Sequence, residues 1–335
     1  MRKRYLSTIA MVGAAAFALT ACSSGSDDGG SDDAGSGDDG GSSGDIITVG
    51  FAQTGSESGW RSANTESMQT AFSEENGFEL VFNAADNDPA AQISAVRSFI
   101  NQGVDAIVIA PIVEDGWDDV LAEAADADIP VILEDRTVSA SDDLYAAWVG
   151  LDFYQEGVMA GEWAAEQFGD TPTRMVVLEG TTGSAPANDR ADGFNEAIAG
   201  TAIETIDSQT GDFTRDGGKS VMEGYIANYG LENIDLLYAH NDDMGLGAIE
   251  AIEAAGGVPG EDITIITIDA VKDGMQALVD GKINYIVECN PLLGDLAAGL
   301  VKDVLAGNEV EKVVYVEDQT FTQEEAAEVI DSRLY

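Results

Sequence analysis

The sequence has 335 residues, of which 15 are Lys or Arg and 62 are Asp or Glu, so its formal net charge is −47. This charge repels phosphate backbones, and no basic stripe follows the first four residues, which argues against a nucleic-acid-binding protein. The length suits two domains of about 100 to 200 residues each. Two distant cysteines and a single histidine form neither a disulfide framework nor a zinc or haem motif, so we expect no metal and no cofactor.

The first 21 residues are predicted to be a secretion signal. Basic residues 2–4 precede an apolar, Ala-rich run at 9–19 that is too short to span a membrane comfortably. The following residues, Leu-Thr-Ala-Cys at 19–22, resemble the lipobox of bacterial lipoproteins, in which cleavage leaves a lipid-bearing cysteine at the new N-terminus. We therefore expect lipidation of Cys22 and an extracytoplasmic protein anchored to the outer face of the cell membrane. The alternative is an ordinary secreted protein in which Cys22 is incidental.

The next segment, residues 22–44, is predicted to be a disordered tether. After Cys22 it contains only Ser, Gly, Asp and one Ala, which cannot bury apolar surface and whose like charges repel one another. The mature chain keeps 12 basic against 62 acidic residues, so the acidity belongs to the globule. We interpret it as a solvated surface suited to a saline exterior rather than a site for a basic partner. Beyond the signal, no run of about 20 apolar residues predicts a transmembrane helix.

From residue 46 onward, short apolar strands alternate with amphipathic helices. The strands of the first unit are predicted at 46–52, 79–84, 105–111, 130–135 and 144–150. Helices are predicted between them, one of which begins at Pro89, a residue suited to a first helical turn. Continuous Val- and Ile-rich strands that alternate with helices predict an α/β fold with a parallel sheet covered on both faces.

The same alternation starts again with a helix at 153–168. Further strands are predicted at 175–180, 202–209, 235–240, 263–269, 283–288 and 312–317. Thr322 and Glu325 can form a capping box for a short terminal helix. The two doubly wound units are unequal in length, which suggests that the late elements cross back to complete the first lobe.

Polar side chains follow many of these strands. In an open parallel sheet the ligand crevice lies outside the carboxyl ends of the strands, so these residues are candidates for a binding site. They are Glu57, Ser58, Trp60, Arg61, Asp135, Arg136, Asp189, Arg190, Asn241, Asp242, Asp269, Glu288, Cys289 and Asn290.

This combination of residue types is typical of a carbohydrate site. Arginines, carboxylates and amides match the hydroxyl groups of a neutral polyol, each of which donates and accepts, and an indole ring stacks on its C–H face. The alternative for each arginine is a surface salt bridge with one of the many acids. Trp60 is either a stacking platform or a core residue.

Four segments carry a resemblance to a known family: VGFAQTGSESGWR, AVRSFINQGVDAIVIAP, GDFTRDGGKSVME and YAHNDDMGLGAIEAI. They are similar to segments of the periplasmic sugar-binding proteins of ABC transporters, in the ribose/galactose-binding family, and most closely to its galactofuranose-binding members. The likeness covers residues 46–335. It implies the type I periplasmic binding protein fold, in which two lobes joined by three crossover segments close over one monosaccharide. The N-terminal lobe would comprise 45–150 with about 289–316, and the C-terminal lobe 151–288 with about 317–335.

The resemblance also implies which residues contact the sugar. From the first lobe these are Trp60, Arg61, Asp135 and Arg136, and from the second Arg190, Phe213, Asn241 and Asp269. Glu57 and Asp189 are added because they lie beside these residues at the strand ends. Ribose binders place an amide near the final crossover, where this chain has VECNP, so we expect Glu288 or Asn290 in its place. Ala270 stands where family members have glycine, so the conformation of this turn can differ from theirs.

The function implied is that of a solute-binding protein, not an enzyme, which captures galactofuranose, galactose or a similar sugar by hinge closure and delivers it to an ABC transporter permease. Nucleotide-binding glycine motifs are absent from the strand-to-helix turns, so the ATPase must be a separate protein. We expect a monomer. One alternative is a sugar sensor for a signalling receptor. A glycoside-processing enzyme is another, but one histidine allows no Ser-His-Asp or Cys-His set.

Overall fold

The computed structural model describes residues 46–335. The predicted signal peptide, the lipidation of Cys22 and the tether therefore lie outside the described residues. Within the described part, every helix is too short or too polar to cross a membrane.

The first α/β unit follows the predicted alternation, because its local patterns are strong. Its elements are β1 (Ile47–Gln53), α1 (Gly59–Ala71), β2 (Phe78–Ala84), α2 (Pro89–Gln102), β3 (Ala106–Ile109), α3 (Asp118–Asp126), β4 (Val131–Asp135) and β5 (Ala147–Gly150).

Helix α2 shows how local chemistry sets these bounds. The Asp88 side chain caps the helix by accepting hydrogen bonds from the backbone N–H groups of Ala90 and Ala91, and Pro89 occupies the first turn. The helix ends at Gly103, whose φ of 68° lies in the left-handed region that favours glycine. Both signals are visible in the sequence, and the predicted start at Pro89 is confirmed.

The second unit repeats the same alternation. Its elements are α4 (Phe153–Phe168), β6 (Thr173–Glu179), α5 (Ala185–Ala197), β7 (Ile203–Thr210), α6 (Arg215–Tyr229), β8 (Leu236–Ala239), α7 (Asp242–Ala254), β9 (Thr264–Asp269), α8 (Lys272–Val279) and β10 (Tyr285–Glu288).

The remaining elements are α9 (Gly294–Leu305), β11 (Val313–Tyr315), β12 (Thr320–Phe321) and α10 (Gln323–Val329). The predicted capping box of Thr322 and Glu325 starts α10. Two-residue β12 was not predicted, because so short a strand has no periodicity.

The strands form two six-stranded sheets. Their orders are β11-β5-β4-β3-β1-β2 and β12-β10-β9-β8-β6-β7. All the pairings are parallel except that of β12 with β10. Residues 151–152, 289–293 and 316–319 pass between the two sheets, and apolar clusters cover both faces of each sheet. The predicted architecture of two doubly wound lobes joined by three crossover segments is confirmed.

Candidate functional site

The carboxyl ends of the strands of both sheets face one cavity between the lobes. Nine of the eleven predicted binding residues line it, although they come from both lobes. The lining residues are Glu57, Ser58, Trp60, Arg61, Asp135, Arg136, Phe153, Pro186, Arg190, Phe213, Asn241, Asp269 and Cys289.

The first-lobe half of the cavity is a network of two arginines and two carboxylates. Arg61, at the start of α1, donates from Nη2 to Asp135 Oδ2 at 2.6 Å and from Nε to Glu57 Oε1 at 3.2 Å. Arg136 Nη2 donates to the same Glu57 oxygen at 3.3 Å. None of these four side chains is more than 4% exposed. The network is therefore ordered by its own ion pairs, and its geometry does not depend on a ligand.

The charges of this half are set by their mutual contacts. Burial alone would raise the pKa of Glu57, but Arg61 and Arg136 together hold it below its ordinary value. Burial and the neighbouring Arg61 lower the pKa of Arg136 to about 10, so its guanidinium stays charged at neutral pH. Within residues 46–335, Arg136 Nε has no hydrogen-bond partner. This buried donor can therefore bind a ligand oxygen.

The second-lobe half centres on a single arginine. Arg190, on α5, donates from Nε to Glu156 Oε2 at 2.6 Å and from Nη1 to the carbonyl oxygen of His240 at 2.7 Å. Its Nη2 lies 3.9 Å from Asp269 Oδ1. Asn241 caps α7 by accepting from Met244 N at 3.0 Å. Hydrogen bonds to protein atoms thus hold Nε and Nη1, and Nη2 is left available for a ligand in the cavity.

The carboxyl groups near Arg190 differ in state from those of the first lobe. Burial raises the pKa of Glu156 and of Asp269, although Arg190 opposes the rise in both. Asp269 Oδ2 is buried without a hydrogen-bond partner in the described part of the chain. Burial also lowers the pKa of His240 to about 3, so the imidazole is neutral. Asp269 therefore presents an oxygen that can pair with a hydroxyl group.

Phe213 supplies an aromatic wall. Its φ is 61°, and its ring lies so close to Gly180 that a Cβ there would be 1.9 Å from Phe213 Cζ. The guanidinium of Arg136, from the other lobe, lies 5.3 Å from the centre of the Phe213 ring. The glycine at 180 is thus required by this close approach.

Trp60 belongs both to the cavity wall and to the core. Its indole Nε1 donates to the carbonyl oxygen of Cys289 in a crossover segment at 2.6 Å, and it packs in an apolar cluster with Leu151 and Leu293. The Arg61 guanidinium lies 4.6 Å from its ring centre. Only 4% of Trp60 is exposed, so it connects the first lobe to the hinge as well as lining the cavity.

Two predicted residues do not line this cavity. Asp189 precedes Arg190 on α5, and one residue turns a helix by about 100°, so its side chain lies on a neighbouring face beside Asp152 and Tyr315. Glu288 is engaged by other residues, because its Oε1 accepts from Arg333 Nη1 and from the Tyr335 hydroxyl. The proposed substitute Asn290 accepts from the N–H of Leu292 instead.

Two lining residues were missed by the sequence analysis. Phe153 opens α4 directly after a crossover segment, and Pro186 lies in the first turn of α5. Both are apolar, whereas the expected site residues were mainly polar residues that follow strands. Their positions at helix starts that follow strands were the available signal.

The lobes are closed around the cavity. The N–H of Gly59, which opens α1, donates to Asp243 Oδ2 on α7 at 2.7 Å. At another edge Asn188 Nδ2 donates to Glu114 Oε2 at 2.6 Å, and the N–H of Glu114 donates to the carbonyl oxygen of Gly183 at 3.0 Å. These contacts join opposite lobes, so they form only when the lobes are together.

The donors and acceptors of the cavity suit binding of a polyol. Among residues 46–335 no group of three or more His, Cys, Asp or Glu side chains is arranged to hold a metal ion. Each of the arginines is paired with at least one carboxyl group, so the cavity offers hydrogen-bond donors and acceptors side by side rather than a cluster of like charges.

Comparisons with known proteins identify the family. The family described as periplasmic binding protein domain matches residues 49–309. The galactofuranose-binding protein YtfQ of Escherichia coli (strain K12) is 43% identical over 291 residues, which are 86% of this chain and 91% of that protein. A crystal structure from Mycobacterium smegmatis in complex with β-D-fucofuranose is 52% identical, with a TM-score of 0.84 over 86% of this chain and 95% of that one.

A third similar protein is the periplasmic binding component of the arabinose ABC transporter from Shewanella sp. ANA-3, bound to α- and β-L-arabinofuranose. It is 42% identical, with a TM-score of 0.82 over 86% of this chain and 96% of that one. The likeness therefore extends over nearly the whole of the described globule. This chain belongs to the periplasmic binding protein family, whose members bind solutes outside the cytoplasm.

Proposed function

We propose that this chain captures one monosaccharide in a furanose ring form, such as galactofuranose, and delivers it to the permease of an ABC transporter. The observation that carries the proposal is a pair of buried atoms, Arg136 Nε and Asp269 Oδ2, that have no hydrogen-bond partner among residues 46–335, although Arg136 Nε lies 3.6 Å from Asp135 Oδ2. One is a donor from the first lobe and the other a carboxyl oxygen from the second, and both residues line the same cavity. A hydroxyl-rich ligand held between them would satisfy both.

The chemistry of the walls supports a neutral sugar. Arg190 and Asn241 offer further hydrogen-bonding groups, and the rings of Phe213 and Trp60 offer apolar surface for C–H groups. A charged ligand would disturb ion pairs that already balance one another. The ligands of the three similar proteins above are all furanoses, which favours a five-membered ring for this chain too.

Hinge closure supplies the mechanism. A sugar bound to one lobe provides hydrogen-bonding groups for the other, which favours the closed arrangement over the open one. The bond from Gly59 N–H to Asp243 and the bond from Asn188 to Glu114 add to closure once the lobes meet. The closed protein then presents a different surface from the open one, and this difference lets a permease recognise the loaded state.

We further propose that the mature chain is a monomer held at the membrane by lipid on Cys22, with residues 22–44 as tether. In this proposal the N-terminal lobe comprises 45–150 with about 289–316, and the C-terminal lobe 151–288 with about 317–335. The pairing of β11 with the first sheet and of β12 with the second supports this division.

Titration with a panel of sugars tests the proposal. The mature chain from residue 22, carrying Cys22→Ser to prevent acylation, is titrated with galactose, arabinose, fucose, fructose, ribose, glucose and xylose at two salt concentrations. Calorimetry and tryptophan fluorescence should give one-to-one binding that is tightest for one sugar of the panel, and a crystal structure of that complex should show it as a furanose; a bound pyranose would contradict the proposed ring form. A folded protein that binds no sugar at either salt concentration would overturn the proposal.

Two measurements separate the other outcomes. The sugar recovered from the complex should be chemically unchanged, because we propose binding without reaction; a cleaved or isomerised product would identify an enzyme. In the native host, loss of this chain should abolish uptake of the labelled sugar. Intact uptake with altered gene expression would identify a sensor.

A further inference from the structure

The turn that carries Asp269 into the cavity has an unusual backbone. The φ angles of Asp269 and Ala270 are 127° and 63°, both in regions that residues other than glycine rarely adopt. Such a conformation persists only where the surroundings hold it in place. Asp269 Oδ2 lies at the cavity without a hydrogen-bond partner in the part of the chain that the structure describes, so the direction in which this oxygen points depends on whatever restrains the turn.

One restraint comes from the far end of the chain. Arg333 Nη2 donates to the carbonyl oxygen of Ala270 at 2.8 Å. Its Nη1 donates to Glu288 Oε1 at 2.6 Å, and the Tyr335 hydroxyl donates to the same oxygen at 2.8 Å. The side chains of Arg333 and Glu288 are only 10% and 4% exposed. One guanidinium therefore bridges the turn and a carboxylate at the end of β10.

Two rings pack near this guanidinium, and two crossover segments hold the residues that it bonds. It lies 5.3 Å from the ring centre of Phe321 and 4.4 Å from that of Tyr335. The N–H of Glu288 donates to the carbonyl oxygen of Gln319 at 2.7 Å, and that of Cys289 donates to the carbonyl oxygen of Asp269 at 3.2 Å. The arginine thus acts where two crossover segments and the strained turn meet.

We propose that Arg333, supported by Tyr335, is a positioning residue for the binding site, which holds the Asp269–Ala270 turn so that the Asp269 carboxyl group stays aimed at the sugar. Arg333 does not line the cavity, so it acts through Asp269. This inference rests on the proposed function, because it takes the ligand to be a sugar held by Asp269.

The substitution Arg333→Lys tests this role with little change in charge. A lysine can pair with Glu288 but lacks the planar fork that reaches both Glu288 and the carbonyl oxygen of Ala270. We expect about tenfold weaker binding of the tightest sugar of the panel, which corresponds to about 1.4 kcal/mol. The unfolding temperature without sugar should change little.

A double-mutant cycle distinguishes positioning from general support. If Arg333 acts through Asp269, Arg333→Lys should weaken sugar binding by less than about twofold when Asp269→Ala has already removed the carboxyl group. An equal loss in both backgrounds, or a loss that follows the unfolding temperature alone, would show a merely structural role and overturn the inference.

Two further variants complete the test. Arg174→Lys is the matched control, since Arg174 pairs with Asp235 in the same lobe and does not line the cavity, so sugar affinity should be unchanged. Tyr335→Phe removes the hydroxyl that bonds Glu288, a partner of Arg333, and should weaken sugar binding about two- to threefold. If Arg333→Lys fails to fold, Tyr335→Phe takes its place in the double-mutant cycle.

The failure of this inference can be told from failure of the proposed function. If the parent protein binds none of the sugars, the proposed function fails. If the parent binds and Arg333→Lys binds equally well, only the positioning role of Arg333 is wrong.

Discussion

The two halves of the cavity use the same residue types, but the pKa values of their carboxyl groups shift in opposite directions. In the first lobe two arginines bond two carboxylates, and the pKa of Glu57 is held below its ordinary value despite its burial. In the second lobe Arg190 is surrounded by carboxyl groups, and burial raises the pKa of Glu156 and Asp269. The difference follows from the number of arginines available to each group of acids.

The surroundings of each half extend the contrast. Asp318, in a crossover segment, faces Glu156, Arg190 and Glu288, and burial with the neighbouring Glu156 raises its pKa to about 9. In the first lobe, Glu134 is the exception: burial and Asp135 raise its pKa to about 8, and Asn64 donates to it. The two arginines and two carboxylates of the first half therefore form a preformed ionic network, whereas Asp318 beside the second half keeps a proton that a rise in pH removes.

We expect the largest effect from a substitution that breaks the arginine–carboxylate network of the first lobe. Arg61→Ala leaves Asp135 and Glu57 buried without their main partner, so we expect a loss of about 3 to 5 kcal/mol in the free energy of unfolding. Arg97→Ala is the control, because its pair with Glu123 is 45% exposed and should contribute less than about 1 kcal/mol. Urea denaturation measures both. Similar losses for the two variants would contradict a preformed network.

The next largest effect is the loss of sugar affinity when residues of the second half are substituted. Arg190→Ala and Asp269→Ala each leave a sugar hydroxyl unpaired, so each should weaken binding by about 1 to 3 kcal/mol in calorimetry. Asp273→Ala, which removes an exposed carboxylate from the same lobe, should leave affinity unchanged. Parent-like binding by both site variants would place the sugar elsewhere.

The pH dependence of stability tests whether Asp318, beside the second half, holds a proton. The pKa of Asp318 in the folded protein, about 9, exceeds that of an unfolded aspartate, so the folded state keeps a proton that the unfolded state loses. The stabilisation that this proton contributes is fully present below the unfolded pKa. It falls by up to about 1.4 kcal/mol per pH unit and is lost as pH rises through about 9. Asp318→Asn mimics the protonated acid and should flatten this decline.

Denaturation of the sugar-free protein between pH 5 and pH 9 measures the slope. Glu317→Gln changes the exposed neighbour and serves as the control. A decline in Asp318→Asn as steep as in the parent would show that Asp318 holds no proton at neutral pH.

The smallest expected effect concerns the indole of Trp60. Trp60→Phe keeps an aromatic ring but removes the hydrogen bond to Cys289, so it should cost about 1 kcal/mol of stability and weaken sugar binding slightly. Trp117→Phe removes a comparable bond to Val113 outside the cavity and should lower stability only. Equal sugar affinities of the two variants would assign Trp60 to the core alone.

Most of the secondary structure was predictable because its signals are local. Helix α4 occupies the predicted residues 153–168, and α2 begins at Pro89 as expected. Strand β12 was missed, since two residues have no period, and it exists only through its pairing with β10.

The candidate site was predictable in its position but less so in its membership. Parallel strands end at one edge, so residues that follow them meet, and nine of the eleven predicted side chains share the cavity. Asp189 does not line the cavity, because adjacent residues of a helix point to different faces and Arg190 occupies the face that borders the cavity. Glu288 is engaged by Arg333 and Tyr335, and nothing near it in the sequence indicates these distant partners.

The sequence by itself determined the alternation of strands and helices, the residue types at the strand ends and the family likeness, since each depends on neighbours along the chain. Only the tertiary structure decided in which direction the pKa of each carboxyl group shifts and which arginine holds each one. Arg61 meets Asp135 across 74 positions, and Trp60 meets Cys289 across 229. Charge states depend on burial and on such distances, and both arise only when the chain is folded.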